Sequence, residues 1–132
     1  MTQEEKELLI KDLSARYPYC LKCKVRYWDG SGRLYVTGDM TLIGIIGNTC
    51  VFKTNFIREN TLSVDISEVK PYLRPMSSMT EEEKDYVIHL ATLPCAAQIC
   101  EKKVDFFNSH HIDWRGLIPM GLALEAPEGM YK

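Results

Sequence analysis

The 132-residue chain is short of the features that would name a function class outright. No apolar run approaches the ~20 residues that a membrane-spanning helix needs, so no membrane partner is expected. Charge of one sign is not in excess: 16 basic against 18 acidic residues leave a formal net charge of −2, with no global field to draw in a polyanion. The sequence has no Gly-x-Ser-x-Gly nucleophile elbow. It also lacks a Gly-x-x-x-x-Gly-Lys-Ser/Thr phosphate loop and the His-x-x-x-His or His-Glu-x-x-His spacing of a helical metal site. Gly30-Ser31-Gly32 has no third glycine and falls between strand patterns, so it reads as a hairpin turn. There is no internal repeat and no low-complexity tract. With 45% apolar and 26% charged residues, the composition excludes disorder and collagen-like repeats.

What is present fits one domain, since roughly 150 residues per domain is usual. The opening Met1-Thr2-Gln3-Glu4-Glu5-Lys6-Glu7 is acidic where a secretory signal would be basic, which predicts a cytoplasmic protein. Five cysteines, at 20, 23, 50, 95 and 100, are an odd number and are expected to be reduced thiols that pack as small hydrophobes. The stretch 15–35 is the most basic, with Arg16, Lys22, Lys24, Arg26 and Arg33 against Asp29.

Thr2 and Glu5 have capping-box spacing. Leu9, Leu13 and Tyr17 then recur every four residues, predicting a helix over about 3–16 that Pro18 ends. From Cys20 the period becomes two. Leu21, Cys23, Val25 and Tyr27 share one face; Lys22, Lys24 and Arg26 share the other, a half-exposed strand with a basic outer face. Asp29-Gly30-Ser31-Gly32 predicts a turn, 34–37 a short returning strand, Gly38-Asp39 another turn, and 40–46 a central strand. After Gly47-Asn48, 50–52 continues as a strand, Arg58-Glu59-Asn60 turns, and Leu62, Val64 and Ile66 mark a last strand. Five short strands with tight turns predict a small, strongly bent antiparallel sheet or SH3-like barrel. Residues 67–79 read as a connector, because Pro71 and Pro75 oppose a helix. Ser78 or Thr80 then caps a helix whose first turn carries Glu81, Glu82 and Glu83, with Tyr86, Val87, Leu90 and Ala91 facing inward. Pro94 suits the first turn of a further helix along Ala96, Cys100, Val104 and Phe107. Asp113 is placed to cap a short helix beginning at Trp114. The expected architecture is therefore α+β in one domain, 1–132: a β-rich part about 18–75, a helical part about 76–125 sharing its core, and a tail 126–132.

Two stretches are more distinctive. One is Val69-Lys70-Pro71-Tyr72-Leu73-Arg74-Pro75-Met76-Ser77-Ser78-Met79-Thr80-Glu81-Glu82-Glu83-Lys84. The other is Asn108-Ser109-His110-His111-Ile112-Asp113-Trp114-Arg115-Gly116-Leu117-Ile118 with Gly121-Leu122-Ala123-Leu124-Glu125-Ala126-Pro127. With the opening Thr2-Gln3-Glu4-Glu5-Lys6-Glu7-Leu8-Leu9, the chain resembles a family of small uncharacterised proteins encoded by gut bacteria and their prophages. The resemblance covers both ends and the central linker. It implies a cytoplasmic protein of mobile-element origin, and it carries over no catalytic or binding residue.

Candidate chemistry is sparse. Cys20-x-x-Cys23 is half a zinc motif, but a strand sends positions i and i+3 to opposite faces, and no second pair follows. His110, His111 and Asp113 are the weak candidates for a metal or a proton relay; neighbouring helical positions point about 100° apart, which makes a shared ion awkward. No metal and no cofactor are expected. Lys22, Lys24 and Arg26, with Tyr27, Trp28 and Tyr35, combine charge and aromatic rings as nucleic-acid-binding barrels do, although edge strands also carry Lys against aggregation. The sequence thus predicts a non-catalytic module that binds a protein or a second copy of itself around Tyr27, Trp28 and Tyr35. Nucleic-acid binding on the basic strand and a small metal-dependent enzyme are the alternatives.

Overall fold

A helix, α1 (Gln3–Arg16), opens the chain, and its capping box is made as the sequence predicts. Thr2 Oγ1 accepts the Glu5 N–H at 3.1 Å, and Glu5 Oε2 accepts the Thr2 N–H at 3.0 Å. Its inward face is not wholly apolar. Leu9 and Leu13 are fully buried, but Asp12 and Arg16 are buried beside them, and Tyr17, expected on that face, is exposed. The computed structural model describes residues 1–28, 35–54 and 61–131. The turns expected at Asp29-Gly30-Ser31-Gly32 and Arg58-Glu59-Asn60 lie outside those residues.

Six strands follow: β1 (Lys22–Trp28), β2 (Tyr35–Ile46), β3 (Thr49–Lys53), β4 (Thr61–Asp65), β5 (Val69–Leu73) and β6 (Leu124–Glu125). Their order is β4-β3-β2-β1-β5-β6. The first four neighbouring pairs are antiparallel, while β6 runs parallel to β5, with Tyr72 opposite Leu124. The sheet is mixed and does not close into a barrel, since among the described residues no ladder joins the edge strand β4 to β5 or β6. It does curl. A 3-10 turn (Ile66–Glu68) links β4 directly to β5, and β4 touches β1 although three places away in the order.

Three sequence expectations are corrected here. The strands expected at 34–37 and 40–46 are one strand, because β1 pairs continuously from Trp28–Tyr35 to Lys22–Thr41 and holds Gly38-Asp39 extended. The expected connector contains β5. Pro71 is tolerated there because the ladder with β6 begins only at Tyr72, leaving an open edge where a missing N–H costs little. No helix begins at Trp114. Asp113 caps a turn instead, accepting from the N–H groups of Leu117 at 2.8 Å and Ile118 at 2.9 Å, while left-handed Gly116 and then Pro119 prevent helical continuation.

The main apolar cluster joins Leu9 and Leu13 of α1 to the inner face of the sheet and to Leu117, Leu122 and Ala123. Helices α2 (Glu81–Leu90) and α3 (Ala96–Ser109) form a hairpin that adds none of that cluster's buried members among the described residues. Their buried residues are Leu90 and Asn108. Thr80, not Ser78, caps α2, with Glu83 returning the bond. Pro94 lies ahead of α3 rather than in its first turn.

Candidate functional site

The C-terminal end of α3 is where five segments of the chain meet. His110 follows α3, Tyr19 and Cys20 follow α1, Lys22 starts β1, Arg74 follows β5, and Tyr131 ends the described tail. Three adjoining clefts share His110. The first, about 520 Å³, is lined by Tyr19, Tyr86, Lys102, Asp105 and Phe106. The second, about 580 Å³, runs between Arg74, Glu83 and the tail to Tyr131. The third, about 360 Å³, connects them past Tyr19, Cys20, His111 and Tyr131.

The first cleft is walled by rings. Tyr86 and Phe106 lie 4.9 Å apart between centroids, and Phe106 and His110 4.2 Å apart. Tyr86, expected to face inward, is 45% exposed and presents its ring to this cleft. Adjacent Phe106 and Phe107 cannot share one direction on a helix, so one of them turns toward the cleft.

The walls are fixed by charge-assisted bonds. Arg74 grips Glu83 with two parallel bonds, Nη1 to Oε2 at 2.9 Å and Nη2 to Oε1 at 2.6 Å. This bonding holds the Glu83 carboxyl down at about 2. Glu83 also closes the cap of α2, so one carboxylate fixes the start of that helix to the end of β5. Fully buried Arg16 donates to Asp12 at 2.8 Å and to the Ile112 carbonyl at 2.7 Å; Arg115 donates to the other Asp12 oxygen at 3.2 Å. Tyr131 Oη accepts the Lys22 N–H at 2.9 Å and donates to the Tyr72 carbonyl at 2.8 Å, which straps the tail over β1 and β5.

The structure does not bring the candidate metal residues together. His111 is buried with a left-handed backbone (φ 55). Its Nε2 lies 2.7 Å from the Tyr19 carbonyl, and a carbonyl only accepts, so Nε2 carries the proton. Its ring packs on Tyr131 at 4.3 Å, and its Nδ1 is buried without a partner. Burial, chiefly, lowers its pKa to about 4. His110 Nδ1 turns back to its own helix, 3.0 Å from the Phe106 carbonyl. Asp113 is spent on the turn described above. Among the described residues no group of three or more His, Cys, Asp or Glu is placed to hold an ion.

The basic strand keeps its expected faces. Lys22, Lys24 and Arg26 are exposed on the outer face, and Trp28 extends that face at 52% exposure. Tyr27 points the other way and packs against the core. Tyr35 pairs with Trp28 through the backbone. Residues of this face that only the fold reveals are Lys70, directly opposite Lys24 on β5, and Lys53, opposite Thr41. Cys23 and Cys50 are buried, and burial raises both thiols, as inert core residues require; Cys20, Cys95 and Cys100 are exposed and free.

No protein-family model matches the chain, and no curated protein or solved structure matches it either. Among the described residues no helix is long and apolar enough to cross a membrane.

Proposed function

We propose that the protein is a non-catalytic interaction module that receives a segment of a partner protein in the cleft centred on His110. The observation that carries this reading is the ring-lined wall of Tyr19, Tyr86, Phe106 and His110, with Tyr19 and Tyr86 each 45% exposed beside Lys102 and Asp105. Half-exposed tyrosines with charged neighbours are the composition of protein-binding hot spots. Three ionisable groups beside the cleft support binding over chemistry. Glu83, His111 and Asp113 are each committed to holding its walls. The β1–β5 unit is read as an open, SH3-like half-barrel, supported by the strand order and the 3-10 turn between β4 and β5. The resemblance of both chain ends to prophage-encoded proteins supports a cytoplasmic, mobile-element origin.

A displayed peptide library panned on the wild type and on Tyr86→Ala tests the reading. Tyr86 is 45% exposed and meets Phe106 at 4.9 Å, so a circular-dichroism melt of the variant is run beside the panning to show that α2 and α3 stay folded. Peptides retained by the wild type and lost by the variant are expected, with amide shifts on binding at 19–20 and 105–110. Recovery of the same peptides from both proteins, or of none above an immobilised control, rejects the cleft as the docking site.

A further inference from the structure

We infer that the outer face of the sheet, separate from the His110 cleft, binds single-stranded nucleic acid. Strand alternation points Lys22, Lys24 and Arg26 the same way, about 7 Å apart in succession. That interval matches the reach between neighbouring phosphates of a stacked single strand. The fold then adds charge that the linear pattern does not show. Lys70 stands directly opposite Lys24, an arrangement that costs stability wherever like charges face each other across a ladder. Among the described residues neither ammonium has a carboxylate within ion-pair distance. Asp39, on the other side of Lys24, accepts a hydrogen bond from the Tyr72 hydroxyl at 2.7 Å. Lys53 extends the row across β2.

Five cations therefore share a face whose acids are Asp39 and, toward one end, Asp65 and Glu68. The chain as a whole is acidic, so the positive charge is localised and not general. Between β1 and β5 the face is indented by a groove of about 320 Å³ that brings Lys24 and Lys70 together with the hydroxyl of Thr37, beside Arg26, which stands 3.9 Å from the Glu68 carboxylate at the groove's edge. This is donor chemistry suited to a phosphate. At the end of the cationic row stands Trp28, half exposed, where a base released from a stack can lie on the indole. A duplex keeps its bases stacked inside and makes no use of Trp28. An acidic peptide supplies carboxylates but no flat ring for it.

The test is anisotropy of a labelled oligo(dT) 20-mer with the full chain at low and moderate salt. Binding that weakens with salt is expected, with a slope near −2 to −3, since each of three or four phosphate contacts contributes about −0.7. Lys24→Glu with Lys70→Glu is expected to lower affinity at least tenfold and flatten the slope, whereas Lys24→Arg with Lys70→Arg retains binding. Trp28→Leu should weaken binding about fivefold or more with the slope unchanged. These side chains point outward, so thermal melts should stay near that of the wild type. Tyr86→Ala should leave the oligonucleotide affinity unaltered, which separates this surface from the peptide cleft. Absence of binding at low salt overturns the inference. So does an unchanged affinity in the double glutamate variant. A poly-glutamate peptide binding as tightly as the oligonucleotide, with Trp28 immaterial, overturns it in favour of an acidic protein partner.

Discussion

Arg16 heads the largest fully enclosed side chains among the described residues, and an unpaired guanidinium at such a depth would be strongly unfavourable. Asp12 supplies the countercharge, and the carbonyl of Ile112 takes a further N–H. Removing the acid alone strands the cation. Asp12→Ala is therefore expected to cost about 3–5 kcal/mol in urea denaturation. The double variant Asp12→Ala/Arg16→Met should cost less than that single change, because the stranded charge leaves with its partner. Additive losses would show that the pair is not coupled. His111 acts at the same scale through pH. Its folded pKa is lowered to about 4, below its ordinary 6.5, so the unfolded chain binds the extra proton between those values. The stability it contributes is complete above about pH 6.5 and is lost as pH falls through about 4, roughly 2 kcal/mol between about pH 7 and pH 4.5. Glu83, lowered from 4.5 to about 2, adds its own loss only further into acid, so the two windows separate. His111→Gln should abolish the loss in the upper window and leave the lower one. If the variant keeps the wild-type slope between about pH 6.5 and pH 4, another group is responsible.

Elements join through single residues that belong to two of them. Glu83 is the clearest case, closing the cap of α2 and gripping Arg74 at the end of β5. Glu83→Gln keeps the bond from its own N–H to Thr80 Oγ1 but removes the charge and replaces one of the two accepting oxygens of the grip with a donor. A loss of about 1–2 kcal/mol is expected, with faster amide exchange at 81–86 than in the wild type. Unchanged exchange there would mean that α2 is held by its apolar contacts alone. The cap of α2 was only partly legible, since the sequence offered Ser78 or Thr80 and the Thr80–Glu83 capping box decides between them, whereas Arg74 was not legible, because its partner is set by the fold. The same division runs through the other elements. Alternation in β1 could be read residue by residue. The continuity of β2 through Gly38-Asp39 depends on its pairing with β1, which outweighs local turn chemistry. The polar inner face of α1 had a local signal after all, since Asp12 and Arg16 are four apart. An apolar-stripe reading passes over such a pair and takes Tyr17 instead.

Across the molecule the sequence pattern placed α1, β1, α2 and α3 but missed β5 and β6 and expected a helix at Trp114 that does not form, and it could not weigh how firmly each half is held. The α2–α3 hairpin has helical periodicity, yet most of its apolar side chains remain partly open, and Ile88 is 68% exposed. This explains why Tyr86 and Phe106 were missed as site residues: periodicity marks a face and not its covering. The hairpin is tied to the body by the Arg74–Glu83 grip, by the parallel bridge of Arg74 to Ile112, and by Arg16 reaching toward the Phe107 carbonyl at 3.4 Å. Polar ties at the ends of two helices with few buried residues define a region of low local stability. Native-state hydrogen exchange should therefore show α2 and the first half of α3 opening well below the free energy of β1 and β2, whose inner residues belong to the main cluster. Glu83→Gln should widen that gap by lowering the hairpin while leaving the strands nearly unchanged. A hairpin that exchanges only with the strands, at one common free energy, would instead make the molecule a single cooperative unit. The ring-lined wall of the His110 cleft would then be rigid, and a partner segment would meet a preformed groove instead of one that adjusts on binding.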